Sequence, residues 1–459
     1  MKFVKYFFAL IILIDCVVVN AQKSNRSSIP AFVDSVVKDI FKKEPVASIS
    51  IGIKNQGKIL FEKAYGLANV ELNVPATIHS VYYLNSVSKM FTAIAVLQLV
   101  EQGKLSLDDE IGKWLQGYDS VKAHLTVRQL LSHSSGLKED YDEQDWKNNY
   151  KSFSLTAQQW IDLAKKLPLA FQPGTSSSYS NTGFDILAMI VEKASVEQFP
   201  GYIKKHITQP ADLKETGHYL AQTIIPLHVS LYDVVQNKLY RADEWGNSAY
   251  GSGQIHSTID DLLKFQDALN KNLLLRASSV QQMRMPLTIN GQVYAYGFGT
   301  RIVSFPSHTG YGHTGSGGGS TSVLHYFPTD DLTIAVLMNS ESYDSSKYPS
   351  AASIAMIIEE KMFNISAPVV KDLLIPKDEI QKYTGNWLSP DVIIYQKNDQ
   401  LWASRGNNDS TRLFYQGDHK FIPDNNHSVI LDFQFKDGQT DIYNVYMNGN
   451  LVAVSKRKN

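Results

Sequence analysis

Ser86 and Lys89, a serine and a lysine three positions apart, stand at the head of the apolar run from Met90 to Val100. Residues with this spacing lie on one face of an α-helix, so the lysine amine can reach the serine hydroxyl. A serine hydroxyl is a weak nucleophile until a base removes its proton. Lysine can be that base when burial or a neighbouring cation lowers its pKa, and the apolar run offers burial. The spacing therefore predicts Ser86 as a nucleophile and Lys89 as its base.

The S-x-x-K pattern is short and begins at four places in the chain, Ser35, Ser86, Ser135 and Ser455. Ser35 lies within a predicted helix, Ser135 comes just before a helix-breaking glycine, and Ser455 is in a basic tail. Ser86 opens a buried helix, whose first backbone N–H groups could also stabilise an oxyanion. An isolated copy would read as an ordinary helix serine followed by a solvated lysine. The choice of Ser86 rests on its context.

Two further short motifs lie in settings that could bring them near this pair. Tyr179 and Asn181 stand where a polar loop runs into an apolar helix. The triplet His313-Thr314-Gly315 lies on a predicted strand rich in glycine. Taken singly, each reads as a turn or a strand end, because both patterns recur elsewhere in the chain. Their order and settings favour a shared site.

The surrounding sequence predicts the elements that would hold these residues. Apolar spacing from 29 to 43 is typical of a packing helix. Two β-rich runs at 47–53 and 58–65 flank a turn signal and predict a hairpin. Strands between 294 and 339 would complete the sheet that this hairpin begins, and a helix at 349–363 would close the domain. We therefore expect an α/β domain of the α+β type, with an antiparallel sheet flanked by helices.

Between the hairpin and the late strands, short helices and loops indicate a helical subdomain. Thr126 is suited to cap the helix that begins at Val127. Thr258 and Asp261 have the spacing of a capping box, with aspartate in place of the usual glutamate. These capped helices would complete the first domain, which we place at 29–363.

A different pattern follows a predicted linker at 364–379. From 380 to 459, short runs rich in β-branched and aromatic residues are split by turn residues every ~8 to 12 positions. This spacing predicts a small all-β domain, either a barrel or a sandwich. The length of the chain, 459 residues, also favours two domains.

The composition favours an ordered protein with a small or neutral partner. Apolar residues make up 43% of the chain, and 44 Lys and Arg balance 45 Asp and Glu. No electrostatic attraction to nucleic acid or to an anionic membrane follows from this balance. The histidines show no metal-ligand spacing and no Gly-rich phosphate loop follows a strand, so the sequence predicts no metal and no cofactor.

Residues 1–21 have the features of a secretory signal. Two lysines near the N-terminus flank the start of an apolar core, and a cleavage site with small residues ends at Ala21. We therefore expect export and a mature N-terminus near Gln22. The single cysteine, Cys16, could instead carry a lipid anchor, but the acidic residue before it and the apolar residues after it favour the signal. Beyond this segment no apolar run reaches the roughly 18 residues that span a bilayer.

Taken together, S-x-x-K at Ser86, Y-x-N at Tyr179 and the strand triplet at His313 resemble the three signatures of the serine β-lactamase and penicillin-binding protein superfamily, in its class C-like branch. The resemblance covers the first domain. Three longer segments reinforce it: LLSHSSGL (130–137), FQPGTSSSYSNTGFDIL (171–187) and GSGQIHSTIDDLLKF (251–265).

The resemblance implies a role for each residue. Ser86 would be acylated, while Lys89 and Tyr179 share the proton transfers; a lysine close to the phenol would favour a tyrosinate that later protonates the leaving group. Asn181 would bind Lys89 and the substrate amide. The backbone N–H groups of Ser86 and Ser316 would form the oxyanion hole. The strand residues that would bind substrate are His313, Thr314, Gly315 and Ser316.

The triplet departs from the family pattern, because His313 stands where lactamases and many penicillin-binding proteins carry lysine. Histidine near neutral pH is only partly charged, so it would hold a substrate carboxylate less firmly and disfavour β-lactam hydrolysis. Histidine is common here in the branch's D-aminopeptidases, esterases and penicillin-binding relatives. The C-terminal domain also favours these relatives over a β-lactamase, since it resembles the lipocalin-like module appended to them.

The resemblance thus implies an exported serine hydrolase, periplasmic or secreted, that acts through an acyl-enzyme on D-amino-acid peptides, esters or β-lactams. A penicillin-binding carboxypeptidase is the nearest type. Its expected partner is a small molecule or peptide, peptidoglycan-derived peptides among them, and not nucleic acid. Two alternatives stay open: a class C β-lactamase proper, and a non-catalytic cell-envelope binding protein that keeps the fold.

Overall fold

The computed structural model describes residues 28–138, 158–219, 223–242, 249–342, 348–365, 370–388 and 392–458, apart from short gaps at 160–161, 163–164, 167, 406–408, 425–428, 437 and 448–449. The predicted signal at 1–21, with Cys16, lies outside these residues. Among the described helices, none combines the length and the apolar character that a membrane span requires.

The first domain is built on a seven-stranded antiparallel sheet with the strand order β11-β12-β13-β14-β1-β2-β3. Strand β14 pairs with β1, so the late strands complete the sheet that the early hairpin begins, as the sequence predicts. In chain order the strands are β1 (Ser48–Asn55), β2 (Lys58–Asn69), β3 (Val74–Pro75), β4 (Tyr82–Tyr83), β5 (Gly217–His218), β6 (Tyr232–Val235), β7 (Lys238–Arg241), β8 (Ile255–Ser257), β9 (Leu287–Ile289), β10 (Gln292–Tyr294), β11 (Arg301–Phe305), β12 (His308–Gly317), β13 (Ser320–Phe327), β14 (Leu332–Met338) and β15 (Ser340–Glu341).

Helices cover both faces of this sheet. They are α1 (28–43), α2 (Ser88–Glu101), α3 (Ile111–Trp114), α4 (Val127–Leu131), α5 (Asn181–Ser195), α6 (Phe199–Ile203), α7 (Ile259–Asn270), α8 (Ala277–Arg284) and α9 (Ala351–Met362). Shorter turns of other helix types lie at Asn85–Val87, Lys122–His124 and Lys204–Thr208.

Alternate residues of the central strand β14 face two different cores. Ile334 and Val336 pack with α1 and α9 on one face. Ala335 and Leu337 pack with α2 and α7 on the other. A strand sends successive side chains to opposite faces, so a strand covered on both sides reads as a continuous apolar run. Helix α2 lies in the second core and is buried on nearly all sides, which removes its polar groups from water.

One of the two predicted helix caps is complete and the other is half formed. Thr126 and Gln129 make a reciprocal capping box at the start of α4. At α7 the Thr258 side chain accepts from the Asp261 backbone N–H, but the Asp261 carboxylate is used elsewhere, where it accepts from the Thr216 hydroxyl and the Glu215 N–H. The capping-box prediction at Thr258 is therefore wrong in its second half, because a non-local partner competes for the carboxylate.

The C-terminal region is a closed eight-stranded barrel, in agreement with the predicted all-β domain. A short helix α10 (Ile380–Tyr383) precedes it. Its interior is filled by aromatic side chains, among them Trp387, Phe421 and Tyr443. Barrels of this size are just wide enough for side chains or one small ligand. The strands are β16 (Gly385–Leu388), β17 (Val392–Lys397), β18 (Gln400–Arg405), β19 (Asp409–Gly417), β20 (Lys420–Pro423), β21 (Val429–Lys436), β22 (Gln439–Met447) and β23 (Asn450–Arg457).

Candidate active site

Ser86 lies in a tight turn that is fixed to the sheet before α2 begins. The preceding residue, Asn85, has a left-handed backbone conformation with φ of 48°, which asparagine tolerates better than most residues. Its side-chain amide donates to the Gly317 carbonyl at 3.1 Å and to the Ser320 hydroxyl at 2.9 Å. These bonds tie the turn to the β12–β13 hairpin and leave Ser86 partly exposed beside it.

Lys89 is fully buried one helical turn after Ser86 and contacts three oxygen atoms. Its Nζ lies 3.1 Å from Ser86 Oγ, 2.6 Å from Asn181 Oδ1 and 3.0 Å from the Ser252 carbonyl oxygen. The amide and carbonyl oxygens can only accept hydrogen bonds, whereas the serine hydroxyl can also donate. A neutral amine would therefore give two N–H groups to Asn181 and Ser252 and aim its lone pair at the Ser86 hydroxyl.

Helix α5 supplies one of these acceptors directly and fixes the other. Asn181 is its first residue, and the Ser180 hydroxyl caps the helix by accepting from the Gly183 N–H. One turn later, Asp185 Oδ1 accepts from the backbone N–H groups of Gly251 and Ser252 at 2.8 and 2.9 Å. Both oxygens that hold Lys89 thus depend on α5.

Tyr179 lies immediately before α5, with its ring next to two basic side chains. The ring centroid is 4.8 Å from Lys89 Nζ and 5.5 Å from the Arg301 guanidinium. The phenol oxygen is buried and has no hydrogen-bond partner among the described residues. An unsatisfied buried hydroxyl is unfavourable by about 1–3 kcal/mol, and such exceptions call for an explanation such as a catalytic role.

His133 positions the loop that carries Tyr179 and Ser180, although the sequence reasoning assigned this histidine no role. Its Nδ1 accepts from the Ser180 backbone N–H at 3.0 Å, and its ring packs on Tyr179 with centroids 4.5 Å apart. Burial, with the basic side chains of Lys89 and Arg301 nearby, holds the pKa of His133 well below its usual value, so the ring is neutral. The sequence feature that could have identified His133 as a site residue is the segment LLSHSSGL, in which it lies.

His313 is buried and neutral, and both of its ring nitrogens are engaged. Nδ1 donates to the Thr314 carbonyl at 2.6 Å, which leaves Nε2 to accept from the Tyr296 hydroxyl at 2.9 Å. Burial, with the nearby charge of Arg301, holds the pKa of His313 well below its usual value. The expectation of a partly charged histidine is therefore wrong, because the sheet and Tyr296 remove this ring from water.

The triplet lies where one edge of β12 becomes open. Strand β11 pairs with β12 from His308 to Gly312, whereas β13 continues along the opposite edge to Gly317. Among the described strands, none covers the β11 side of the triplet. Exposed strand edges bind extended peptides through backbone hydrogen bonds. Thr314 and Ser316 are accessible there, while Gly315 is buried against the Ser86 turn.

Ser316, whose backbone N–H is predicted to form part of the oxyanion hole, donates a hydrogen bond from its side-chain hydroxyl to the Glu341 carboxyl group on β15. Burial raises the pKa of Glu341 to about 7, and the neighbouring Asp233 acts in the same direction. Near neutral pH this carboxyl group therefore changes between its neutral and charged forms. The end of the cleft at Ser316 carries acidic groups, in contrast to the end at Arg301.

Gly315 must be glycine for β12 to approach the Ser86 turn. A Cβ at this position would overlap with the Leu84 carbonyl oxygen and the Ser322 hydroxyl. We expect Gly315→Ala to lower the free energy of unfolding by about 1–3 kcal/mol, as overpacking does. Chemical denaturation measures this change. Gly201→Ala is the control, because nothing lies within 4 Å of a Cβ there; equal losses in both variants would contradict the close approach.

Arg301, which the sequence reasoning missed, brings an exposed cation to the site. It is the first residue of β11 and pairs with Gly312, directly before the triplet. Its guanidinium packs on the Tyr179 ring, and among the described residues no carboxylate lies within ion-pair distance of it. Arginine binds carboxylates through two parallel hydrogen bonds. Arg301 therefore places a positive charge next to the triplet, whereas His313 within the triplet is neutral.

The structure brings most of the predicted residues into one cleft. Ser86, Lys89 and Asn181 are hydrogen-bonded together, the Tyr179 ring lies against Lys89, and the His313 ring centroid is 6.1 Å from that of Tyr179. Thr314, Gly315 and Ser316 follow along β12 beside the Ser86 turn. Their individual catalytic and binding roles stay predictions.

Comparison with known proteins agrees with the fold. Residues 33–357 match the β-lactamase family. Because the match covers more than half of the chain, this protein belongs to the β-lactamase family, within the superfamily of serine β-lactamases and penicillin-binding proteins. The class C-like branch and the lipocalin-like nature of the barrel stay predictions, as do the domain boundaries 29–363, 364–379 and 380–459.

Individual relatives are similar over different lengths. Penicillin-binding protein 4* of Bacillus subtilis is 28% identical over 400 residues, which are 80% of this chain and 85% of that protein. Protein flp of Staphylococcus aureus is 29% identical over 191 residues, so the match spans only 37% of its length.

Solved structures share the fold. The octameric penicillin-binding protein homologue from Pyrococcus abyssi superposes with a TM-score of 0.66 at 24% identity, covering 91% of this chain and 96% of that one. The D-amino acid amidase from Ochrobactrum anthropi SV3 gives 0.63 at 23% identity, covering 75% of this chain and 99% of that one.

Proposed function

We propose that this protein is a serine hydrolase that forms an acyl-enzyme on Ser86 with peptide substrates ending in a D-amino acid. The observation that carries the proposal is the buried Lys89, whose three partners include one group able to donate a proton, the Ser86 hydroxyl. A desolvated lysine in such a site can serve as a general base. Membership of the β-lactamase family supports the same chemistry.

The proposed acylation moves one proton and exchanges one bond. Lys89 takes the proton of the Ser86 hydroxyl as the serine oxygen attacks the substrate carbonyl, and its new ammonium can donate to all three oxygens around it. The carbonyl C–N bond then breaks, and the proton on Lys89 passes through the Tyr179 hydroxyl to the leaving amine, so that Lys89 is neutral again. The Tyr179 oxygen has no hydrogen-bond partner among the described residues that would compete with this transfer. Water completes the cycle by hydrolysing the ester on Ser86.

The charge distribution favours a substrate with a carboxylate on its leaving group. Arg301 lies at the end of the open strand edge, next to the triplet, whereas the neutral His313 offers no charge. A peptide laid along β12 with its C-terminal carboxylate toward Arg301 would present its last peptide bond near Ser86. This is the arrangement of a carboxypeptidase. A class C β-lactamase proper is the second candidate, because β-lactams also carry a carboxylate beside the reactive ring.

We expect Arg301→Gln to lower kcat/KM about ten- to a hundredfold for a peptide ending in D-Ala-D-Ala, because a charge-assisted hydrogen bond is lost. The same peptide with a C-terminal amide should change little, since it has no carboxylate. Steady-state hydrolysis of the two peptides measures this difference. Arg276→Gln is the control, because Arg276 is exposed on the surface near Glu101. Equal losses on both peptides would show that Arg301 does not bind a carboxylate.

We also propose that the protein is exported, on the basis of residues 1–21. Peptidoglycan-derived peptides would then be accessible substrates. Sequencing the N-terminus of secreted material should give a start near Gln22, whereas a lipid on Cys16 would contradict cleavage there. A non-catalytic binding protein with this fold would bind the same peptides without turnover.

A further inference from the structure

A second cavity lies away from the catalytic groups, between α7, α8, the start of β12 and the end of β13. Its volume is about 530 Å³, within the range of small-molecule sites in proteins. Val280, Met285 and Pro286 line one side, and Tyr311 and Tyr326, which face each other across β12 and β13, line another. Met285 is 59% exposed at the rim, although it is apolar.

The charged group of this cavity is Arg284, the last residue of α8. Its guanidinium lies 5.5 Å from the ring centroid of Tyr311 and 5.2 Å from that of Tyr326. One nitrogen donates to Asn270 Oδ1 at 3.1 Å. Among the described residues, no carboxylate lies within ion-pair distance of this guanidinium. Most of its five N–H donors are therefore available to a ligand.

Partial burial makes this unpaired cation unfavourable. Removal from water disfavours the charged form and lowers the pKa of Arg284 from its usual value. Buried charges in proteins are normally paired or hydrogen-bonded, because an isolated one is expensive to desolvate. The two tyrosine rings stabilise the cation through their π faces, but they do not neutralise it. An anion in the cavity would do so.

We propose that this cavity binds a small organic carboxylate, with its anion on Arg284 and its apolar body against Val280, Met285 and Pro286. The planar guanidinium packs against two aromatic rings, which restrict its motion, and its fork of N–H groups suits a bidentate contact with a carboxylate. Less of its side-chain entropy is then lost on binding. The apolar wall and the exposed Met285 favour a ligand with an aromatic or aliphatic body over inorganic phosphate or free acetate.

The site is distinct from the catalytic cleft but adjoins it. None of the cavity residues contacts Ser86, Lys89 or Tyr179 in the described contacts. Tyr311 and His313 lie two residues apart on β12, so they share one face of the sheet. The proposal depends on Arg284 and its cavity and does not require catalysis at Ser86.

The test is calorimetric titration of the whole protein with 2-naphthoate and, in parallel, with neutral 2-naphthamide. We expect saturable binding of naphthoate and at least tenfold weaker binding of the amide. Arg284→Gln should weaken naphthoate binding about tenfold or more and leave naphthamide binding nearly unchanged. Gln281→Trp, which fills the cavity from the exposed side of α8, should block both ligands without altering the guanidinium.

Two other arginine-to-glutamine variants test whether naphthoate binds at Arg284 or elsewhere. Arg276→Gln, at the other end of α8, and Arg301→Gln, in the catalytic cleft, should both keep the affinity of the unmodified protein for naphthoate. Loss of binding in Arg301→Gln alone would place the carboxylate in the catalytic cleft and overturn the proposal. Equal affinity for naphthoate and naphthamide, unchanged binding in both Arg284→Gln and Gln281→Trp, or no saturation by about 1 mM would also overturn it.

Discussion

Replacing Lys89 with methionine should slow acylation of Ser86 by about 10²- to 10⁴-fold, the usual contribution of a general base. Methionine has nearly the length of lysine and replaces its methylene chain with another apolar one, so the buried position stays filled. It has no lone pair able to take the serine proton, and it leaves Asn181 Oδ1 and the Ser252 carbonyl without their shared donor. The rate of covalent labelling by a fluorescent penicillin, followed in single turnover, measures the effect.

Two controls separate loss of the base from loss of the fold. Lys193→Met changes an exposed lysine on α5 and should leave the labelling rate unchanged. Thermal unfolding should show that Lys89→Met remains folded, although somewhat less stable, because two buried acceptors lose a hydrogen bond. A folded Lys89→Met protein that is labelled at the rate of the unmodified protein would exclude Lys89 as the base.

The predictable part of the site is the part that depends on local spacing. Ser86 and Lys89 are one helical turn apart, so their contact follows from helix geometry alone. Asn181 begins a helix that is marked in sequence by a polar loop, a serine cap and an apolar run. The strand that carries the triplet also follows from the sequence, but its open edge depends on where the pairing with β11 ends.

The unpredicted parts depend on contacts between distant segments. Arg301 reaches the cleft because β11 pairs in one register with β12, and no local pattern defines that register. His133 and the Ser252 carbonyl act through loops whose conformations are set by α5. The neutral state of His313 depends on the Tyr296 hydroxyl and on burial, neither of which is visible at the triplet itself.

The fold shows the same division between local and non-local determinants. Periodicity predicts the early hairpin, a helix at 29–43 and the all-β C-terminal region, and the structure confirms each of them, with the helix at 28–43. It could not decide between a barrel and a sandwich, because closure depends on pairing between β16 and β23 at opposite ends of the domain. The aromatic filling of the barrel becomes apparent only when these strands are placed together.

Ser86→Ala should abolish covalent labelling altogether, because it removes the hydroxyl that Lys89 is proposed to activate. Ser86 is the partly exposed hydroxyl within reach of Lys89 Nζ, at 3.1 Å. The two serines that begin competing copies of the motif differ in setting: Ser35 is exposed on α1, and Ser135 is buried and accepts from the Leu137 N–H. Ser35→Ala and Ser135→Ala should therefore be labelled nearly as the unmodified protein is.

The most direct measurement is intact-protein mass spectrometry after incubation with penicillin or a fluorophosphonate, followed by mapping of the modified peptide. We predict one adduct per chain on the peptide that contains Ser86, and no adduct on folded Ser86→Ala protein. Thermal unfolding should show that the Ser86→Ala protein remains folded. An adduct that persists in Ser86→Ala, or that maps to another serine, would contradict the catalytic assignment.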